Sequence, residues 1–329
     1  MSEKSYLYPL KFETIFKEKI WGGTKIRDIL NKDFSPLKNC GETWEISGVL
    51  GNLSKVSEGN LKGRTLPDLI SEYKEDLVGS KVYAQYGNEF PLLVKFIDAA
   101  EDLSIQVHPN DKLAKARHSS LGKSEMWYVF QADKGSKLIS GFNKDTSQQE
   151  YLEYLNSGRL TDLLNYEDVK SDDCFYLPAG RVHTIGKGLL LAEIQQSSDV
   201  TYRIYDFDRT DDEGNKRELH TEEAIEALDY QSHSDYKTKY TSCLNEVVPL
   251  VESQYFQTNL LDYTTGIIRE HYESDSFIIY TCLEGEAEIV TQGHSTKICM
   301  GSAVLVPRKF PEVHIRAKSG FKMLETFIP

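Results

Sequence analysis

The sequence has few of the features that mark exported or membrane-bound proteins. Its 329 residues include only five cysteines, which are widely scattered and never spaced as C-x-x-C, so a disulfide framework and a thiolate metal site are both disfavoured. No apolar run approaches the length that spans a membrane, and the first residues mix charges among apolar side chains instead of forming a signal peptide. We therefore expect reduced thiols, a cytoplasmic location and no membrane partner.

Runs of basic residues are also missing. The chain carries 38 Lys and Arg against 51 Asp and Glu, a formal net charge of −13, and no cluster of Lys and Arg is long enough to bind a polyanion. We therefore expect no nucleic-acid partner. This balance still permits a small anionic ligand, because a few inward-pointing Lys and Arg side chains can hold one phosphate inside an acidic protein.

Helical signals are few and short, and they begin near Thr65, Ser147 and Thr221. Most of the remaining chain consists of short alternating or β-branched runs that are broken by Gly, Pro, Asn and Asp. This pattern is typical of a β-sandwich or barrel. The sequence therefore predicts a mainly β fold with a few short helices.

Two stretches of the chain, residues 126–194 and 277–327, share one layout. Each runs as strand, Gly turn, strand, followed by strand, Pro, His, strand. We infer two related cupin-like jelly-roll barrels joined near residues 230–250. The predicted domains are a catalytic one over residues 1–235 and a second, degenerate one over residues 236–329.

The most informative strand lies within residues 103–109. With a period of two, Ser104, Gln106 and His108 point to one face while apolar residues point to the other. An exposed polar face is the commoner fate of such a strand. If the polar face instead lines a small barrel, its buried groups need a shared partner, and a metal ion or a polar ligand supplies one.

Two further segments favour the buried alternative. Glu125 has the same strand parity as Trp127, which places a carboxylate in line with a large residue that we expect to be buried. Residues 178–183 have the form P-x-G-x-x-H, a tight turn that brings His183 to a barrel mouth. This turn resembles the second signature of the cupin superfamily.

Gln106, His108, Glu125 and His183 together resemble the usual cupin metal set of three His and one Glu, with Gln in place of one His. One carboxylate and three neutral ligands leave a divalent ion with a net charge near +1, which suits a Lewis acid. A redox site usually shows two His and one carboxylate with open positions. Imidazole and carboxylate suit Zn²⁺ well, although Mn²⁺ and Fe²⁺ accept the same ligands. We expect one Zn²⁺ per chain.

Four longer motifs resemble those of the type I phosphomannose isomerases, particularly the short bacterial branch. In chain order they are LSIQVHPND (103–111), GKSEMWYVF (122–130), LPAGRVHTIG (177–186) and AEIQQSSDVTYRIYDFDR (192–209). The early WGG (21–23) and GETWEIS (41–47) also fit. The resemblance implies interconversion of mannose 6-phosphate and fructose 6-phosphate by a zinc enzyme, with the four cupin-like residues as the zinc ligands.

The resemblance further implies that Ser104, Lys123 and Arg203 bind the phosphate of a hexose 6-phosphate. Strand parity agrees for Ser104 and Lys123, each of which lies two residues before a predicted ligand. Without the resemblance, Lys123 is an ordinary loop lysine and Arg203 a solvated charge at a barrel rim. Val200 departs from the family, whose members carry a short polar residue there, and we do not expect it in the site.

Lys95 and Glu193 are the candidates for moving the proton between C1 and C2 through an enediol, with Arg203 as a further catalytic candidate from the resemblance. Lys95 lies in a strongly apolar strand, so we expect burial and the zinc charge to lower its pKa and leave a neutral amine. Glu193 is already an anion near neutral pH. The sequence does not decide between them, and we rank Lys95 marginally first.

The leading hypothesis is a zinc-dependent isomerase of mannose 6-phosphate. One alternative is a cupin-type glucose-6-phosphate isomerase, which needs the same parts. Another is a non-catalytic sugar-phosphate-binding cupin, against which the intact ligand set and the presence of Lys95 and Glu193 argue. The Gln ligand and the phosphate-suited Lys and Arg disfavour a dioxygenase.

The second predicted barrel offers an internal comparison. His314 follows Pro307 after a longer spacer without Gly, and neither a Q-x-H pattern nor an aligned Glu accompanies it. A lone histidine at a strand start is usually structural. We expect residues 250–329 to hold no metal site and to support the fold alone. The sequence makes no prediction about oligomeric state.

Overall fold

The computed structural model describes residues 6–211 and 213–329, and most of its regular structure is β-strand. The described helices are short: α1 (Lys25–Asp28), α2 (Leu66–Tyr73), α3 (Glu75–Val78), α4 (Ser80–Tyr86), α5 (Asp111–His118), α6 (Gln148–Asn156) and α7 (Thr221–Ala227), with a 3-10 helix at Leu160–Leu163. None of them is long and apolar enough to cross a membrane.

The strands fall into two series along the chain. The first series is β1 (Leu10–Lys11), β2 (Ile15–Lys17), β3 (Glu42–Ile46), β4 (Leu92–Ala99), β5 (Ile105–Val107), β6 (Glu125–Ala132), β7 (Lys137–Phe142), β8 (Leu164–Asp168), β9 (Cys174–Leu177), β10 (His183–Ile185), β11 (Leu189–Gln196) and β12 (Tyr202–Tyr205). The second series is β13 (Val247–Glu252), β14 (Gln257–Tyr263), β15 (Ile267–Glu270), β16 (Ile278–Glu284), β17 (Glu286–Thr291), β18 (His294–Cys299), β19 (Ala303–Val306), β20 (Glu312–Arg316) and β21 (Phe321–Phe327).

The three predicted helix starts are present. Thr65 caps α2, where its hydroxyl oxygen accepts a hydrogen bond from the backbone N–H of Asp68 (3.4 Å), and Ser147 caps α6 in the same way. The third helix, α7, begins at Thr221. Helices α1, α3, α4 and α5 were not predicted, and each is at most eight residues long.

Strand order supports the predicted duplication. Strands β2 to β12 form what we call the first unit, with sheets ordered β2-β3-β4-β11-β6-β9 and β12-β5-β10-β7-β8. The second unit has sheets β1-β19-β16-β21-β14-β13 and β15-β20-β17-β18. The series β3-β4-β11-β6-β9 recurs as β13-β14-β21-β16-β19, and β5-β10-β7-β8 recurs as β15-β20-β17-β18. No ladder joins the two sheets of either unit within residues 6–211 and 213–329.

The chain does not divide cleanly at the predicted boundary, residue 235. Strand β1 pairs with β19, with Leu10 opposite Leu305, so the N-terminal strand completes a sheet of the second unit. The rings of Phe90 and Phe277 also pack at 4.7 Å between the two units. The division into domains over 1–235 and 236–329 stays a prediction. The structure adds that β1, near the start of the chain, belongs to a sheet of the second unit and that the two units share apolar contacts.

The central strand of the first unit, β4, is buried along its whole length. One of its faces contributes Ile97 to an apolar cluster inside the first unit, together with Trp127 and Leu191. The other face contributes Val94 and Phe96 to a larger cluster that is shared with the second unit. Fully burying a Val, Ile, Leu or Phe side chain stabilises the fold by about 1.5–3 kcal/mol. Both faces are covered, and the charged residues of β4, Lys95 and Asp98, are buried as well.

Candidate metal centre and active site

Both sheets of the first unit contribute to the candidate metal site. Gln106 of β5 lies directly opposite His183 of β10, and His108 follows immediately after β5. Glu125 begins β6 in the other sheet. The P-x-G-x-x-H turn between β9 and β10 carries Gly180 at a φ of +95°, a conformation that glycine adopts without strain. The local sequence thus aims residues from three strands into the space between the sheets.

The four predicted metal ligands come together there. His108 Nε2 lies 3.5 Å from Glu125 Oε2, and His183 Nε2 lies 3.3 Å from Glu125 Oε1. Gln106 Nε2 lies 3.3 Å from His183 Nε2. The donor atoms of His108, Glu125 and His183 all lie within 4.8 Å of one another, and all three side chains are buried.

Backbone carbonyl oxygens determine which ring nitrogen of each imidazole carries the proton. His108 Nδ1 lies 3.0 Å from the carbonyl oxygen of Val200, and His183 Nδ1 lies 2.8 Å from that of Arg181. A carbonyl only accepts, so each Nδ1 must donate, which leaves the Nε2 lone pair directed at the site. Burial lowers the pKa of His183 to about 4 and holds that of His108 well below its ordinary value, so both rings are neutral.

The cluster leaves polar atoms that a cation would satisfy. His108 Nε2 is buried without a hydrogen-bond partner, and neither oxygen of Glu125 makes a well-aligned hydrogen bond. Burial raises the pKa of Glu125 to about 7, against the opposing charge of Lys123, whose Nζ lies 3.2 Å from Glu125 Oε2. An unsatisfied buried polar group costs about 1–3 kcal/mol. The residues present therefore fit a divalent ion held by nitrogen and oxygen donors.

A second row of polar side chains lies beside the four predicted ligands. It is on strands β4, β11 and β6, in the sheet that also contains Glu125. Glu193 of β11 is opposite Lys95 of β4 on one side and Trp127 of β6 on the other. Lys95 Nζ lies 3.0 Å from Glu193 Oε1, and Trp127 Nε1 donates to Glu193 Oε2 at 2.9 Å. Trp127 also packs edge-on against His183, with ring centroids 5.3 Å apart. The row is therefore in contact with the metal-ligand cluster.

The expected neutral amine at Lys95 is wrong. Burial disfavours the ammonium, but the carboxylates of Glu193 and Glu42 outweigh that effect and raise the pKa of Lys95 above its ordinary value. Burial alone would raise the pKa of Glu193, yet Lys95 and Lys123 hold it below its ordinary value. The contacts of the pair therefore favour an ammonium at Lys95 and a carboxylate at Glu193.

Comparisons with known proteins bear on this site. The profile of the phosphomannose isomerase type I catalytic domain matches residues 9–154. The mannose-6-phosphate isomerase ManA of Bacillus subtilis is 36% identical over 302 residues, which cover 91% of this chain and 93% of the relative. The chain belongs to the type I phosphomannose isomerase family. The mannose-6-phosphate isomerase of Streptococcus mutans is 35% identical over 300 residues, covering 91% of this chain and 92% of the relative.

Solved structures of the family share the fold. The crystal structure of the mannose 6-phosphate isomerase from Bacillus subtilis matches with a TM-score of 0.85 and 33% identity, over 97% of this chain and 99% of the other. A variant of the phosphomannose isomerase from Salmonella typhimurium matches with a TM-score of 0.77 at 15% identity, over 97% and 99%. The fold of this phosphomannose isomerase family member is therefore shared along nearly the whole chain.

Two of the predicted phosphate-binding residues, Lys123 and Arg203, adjoin predicted metal ligands. Ser104 and Lys123 are buried, and Lys123 contacts the predicted ligand Glu125. Arg203 of β12 lies opposite Gln106, and its Nε is buried without a hydrogen-bond partner while Nη1 donates to the carbonyl oxygen of Glu218 (2.8 Å). An unpartnered guanidinium N–H beside the site is suited to an anion.

Val200 was expected to lie outside the site, and its side chain does so while its backbone does not. Its side chain packs with an apolar cluster on the far side of the β12-β5-β10 sheet, but its carbonyl oxygen orients His108. The residue type at position 200 therefore matters less to the site than the path of the backbone there.

Sequence reasoning missed Glu42 and Trp44. Trp44 of β3 lies opposite Lys95, whose Nζ is 5.2 Å from the Trp44 ring centroid, and Trp44 Nε1 donates to Glu42 Oε2 at 2.7 Å. Burial opposes ionisation of Glu42, but Lys95 and Lys19 lower its pKa to about 2. The signal was present, because Glu42 and Trp44 alternate within GETWEIS, but their proximity to Lys95 depends on the pairing of β3 with β4.

Proposed function

We propose that this protein is a Zn²⁺-dependent isomerase that interconverts mannose 6-phosphate and fructose 6-phosphate through an enediol, and that it acts in the cytoplasm. The observation that carries the proposal is the buried cluster of His108, Glu125 and His183, in which neutral imidazoles direct their lone pairs at a carboxylate. ManA and its Streptococcus relative are mannose-6-phosphate isomerases, which supports the choice of substrate.

Gln106 is the proposed fourth ligand. The two ends of a glutamine amide differ only by a half-turn of the group, and that turn brings Oε1 to the position 3.3 Å from His183 Nε2 where Nε2 now lies. With Glu125 as the single carboxylate, the set matches the nitrogen and oxygen donors that Zn²⁺ accepts. When bound, Zn²⁺ supplies a positive charge that stabilises negative charge developing on a substrate oxygen.

Glu193 is the proposed base for transfer of the proton between C1 and C2. Its carboxylate is held by Lys95 and Trp127, so its position and its ionised state are fixed before substrate arrives. Lys95, as an ammonium, stabilises the carboxylate and can donate a hydrogen bond to a substrate oxygen. Arg203 lies at the edge of the same space and carries the positive charge expected of its proposed catalytic and phosphate-binding roles.

Ser104, Lys123 and Arg203 are proposed to bind the phosphate. A phosphate held at the far end of the sugar orients C1 and C2, and its binding energy contributes to turnover as well as to affinity. Lys123 Nζ lies 3.2 Å from Glu125 Oε2, so a cation bound by Glu125 would take over this carboxylate and leave the Lys123 ammonium to contact the phosphate.

An assay of the purified, zinc-loaded protein tests the proposal. Mannose 6-phosphate and glucose 6-phosphate are supplied separately and fructose 6-phosphate is measured, with unphosphorylated mannose as a control. We expect turnover of mannose 6-phosphate and very little of the other two. Preferred turnover of glucose 6-phosphate would select the alternative isomerase, and binding without turnover would select the non-catalytic sugar-phosphate-binding cupin.

A further inference from the structure

The second unit repeats the register of the candidate metal site. In the first unit, Gln106 of β5 lies opposite His183 of β10. In the second unit, Arg269 of β15 lies opposite Val313 of β20. Strands β15 and β20 occupy the places of β5 and β10, and His271 directly follows β15 as His108 directly follows β5. On this alignment Arg269, two residues before His271, corresponds to Gln106, and Val313 opposite it corresponds to His183.

The other sheet gives a second set of correspondences. Glu325 of β21 lies opposite Asn259 and Tyr280, as Glu193 lies opposite Lys95 and Trp127. Ile278 lies opposite Phe327, two residues along from the Glu325–Tyr280 pair, as Glu125 lies two residues along from the Glu193–Trp127 pair. Ile278 therefore stands in the place of the predicted ligand Glu125.

These correspondences correct the sequence comparison. His314 is not the counterpart of His183, because it points away from the interior and its Nε2 lies 2.8 Å from Glu312 Oε1 on the same face. A pattern related to Q-x-H is present as Arg269-x-His271, whereas Ile278 takes the place of Glu125, as expected, and the acid Glu325 corresponds to Glu193. The longer spacer after Pro307 shifted the apparent alignment.

The counterparts form a polar network whose central acid is fully satisfied. Arg269 binds Glu325 through two parallel contacts of 2.9 Å, one to each carboxylate oxygen. Tyr280 donates to Oε1 (3.2 Å), His271 Nε2 lies 3.2 Å from Oε1, and Asn259 donates to Oε2 (3.0 Å). Glu325 is completely buried. Its oxygens contrast with those of Glu125, which lack well-aligned partners.

The network joins the two sheets of the second unit. Arg269 belongs to the β15-β20-β17-β18 sheet and His271 follows β15, whereas Glu325, Tyr280 and Asn259 belong to the sheet that contains β14, β16 and β21. The candidate metal site spans the two sheets of the first unit in the same manner. A bidentate guanidinium–carboxylate pair is among the strongest directional contacts that side chains make.

We propose that the interior of the second unit is a converted metal site, in which the Arg269 guanidinium replaces a divalent cation as the positive group that links the two sheets. Three substitutions, R269Q, I278E and V313H, together with the existing His271, then restore a ligand set like that of the first unit. The comparison with the first unit uses the zinc ligands proposed above, whereas the contacts of the network stand independently of them.

Metal binding by the full-length triple variant tests this proposal, with Co²⁺ as the probe because its bound form is visible by absorption. We expect one Co²⁺ per chain in the wild type and two in the triple variant. A matched control that adds H271A to the triple variant should return to one. A triple variant that folds, as judged by retained isomerase turnover, yet binds the same number of ions as the wild type overturns the proposal.

Two further outcomes are distinguishable. A wild type that binds no Co²⁺ contradicts the proposed zinc site, while a gain of one ion in the triple variant still supports the conversion. If the triple variant does not fold, urea unfolding of R269M, E325Q and the double variant decides. We expect the fall in urea midpoint of the double variant to be smaller than the sum of the falls in the two single variants. Additive falls would overturn the sheet-linking role.

Discussion

At the scale of single residues, burial and pairing act in opposite directions, and pairing decides the outcome at Lys95. The apolar strand around Lys95 correctly indicated burial, from which we expected a neutral amine. The local sequence does not show that Glu193 and Glu42 come from neighbouring strands and hold the ammonium. The same strands bring Lys95 to Glu193, so the ionised acid now stands as the better candidate base.

Substitution of Glu193 tests this assignment. We expect Glu193→Gln to lose both exchange of the C2 proton of mannose 6-phosphate with deuterated solvent and isomerisation by roughly 10²–10⁴-fold, because it removes the proton acceptor and keeps the shape. Substrate affinity should stay near that of the wild type. Lys95→Met serves as the comparison and should retain more exchange than Glu193→Gln, and the reverse order would restore Lys95 as the base.

The ionisation of Glu325 should make the free energy of unfolding depend on pH. Burial alone would raise its pKa, but His271 and Arg269 lower it to about 2, below the unfolded value of 4.5. The ionised network therefore stabilises the fold above about pH 4.5, by up to about 3 kcal/mol, and this contribution is lost as pH falls toward 2. Urea unfolding at several pH values should show a steeper acid loss in the wild type than in Glu325→Gln. Parallel curves would contradict this assignment.

At the scale of secondary structure, predictions succeeded where the signal is local. The caps at Thr65 and Ser147 mark α2 and α6 without help from the rest of the fold. Helix α5 was missed because only Ala114 of its eight residues is buried, so its apolar periodicity is weak. The clustering of the four predicted ligands could be foreseen, because strand parity or a Gly turn in each short segment indicates which way its side chain points. The contacts of Glu42 and Trp44 with Lys95 were not predictable, because a local sequence pattern does not show which distant strands pair.

Helix α5 gives a prediction of its own. It begins two residues after Pro109 in the segment that carries His108, and the Asn110 side chain caps it by accepting a hydrogen bond from the backbone N–H of Leu113 (3.0 Å). Asn110→Ala should lower the free energy of unfolding by about 1 kcal/mol, whereas Asn110→Asp should keep the cap. Equal urea midpoints for Asn110→Ala and the wild type would show that the cap contributes nothing.

At the scale of the whole molecule, the layout of two related units was predictable because the order of strands and turns repeats in the sequence. The proposed conversion in the second unit was not predictable, because the sequence alone aligns His314 with His183. Only the strand pairing shows that Arg269 and Glu325 occupy the places of Gln106 and Glu193. The pairing of β1 with β19 was also not predictable, because a strand of two residues carries no sequence signal of its partner.

The pairing of β1 with β19 and the apolar cluster shared by the two units predict that the first unit does not fold alone. A chain of residues 1–235 exposes the face of β4 that carries Val94 and Phe96 and leaves β1 without β19. We expect it to aggregate or to bind a hydrophobic dye, while the full chain does neither. A folded 1–235 fragment that isomerises mannose 6-phosphate would instead support independent domains with a boundary near residue 235.

The dependence of turnover on bound zinc is the most direct test of the central claim that His108, Glu125 and His183 hold a catalytic metal. The full-length protein is depleted stepwise with a chelator, and zinc content and turnover of mannose 6-phosphate are measured on each sample. We predict that turnover is proportional to zinc content, falls to zero without zinc, reaches its full value at one zinc per chain, and recovers when Zn²⁺ is returned. Full turnover by metal-free protein would contradict it.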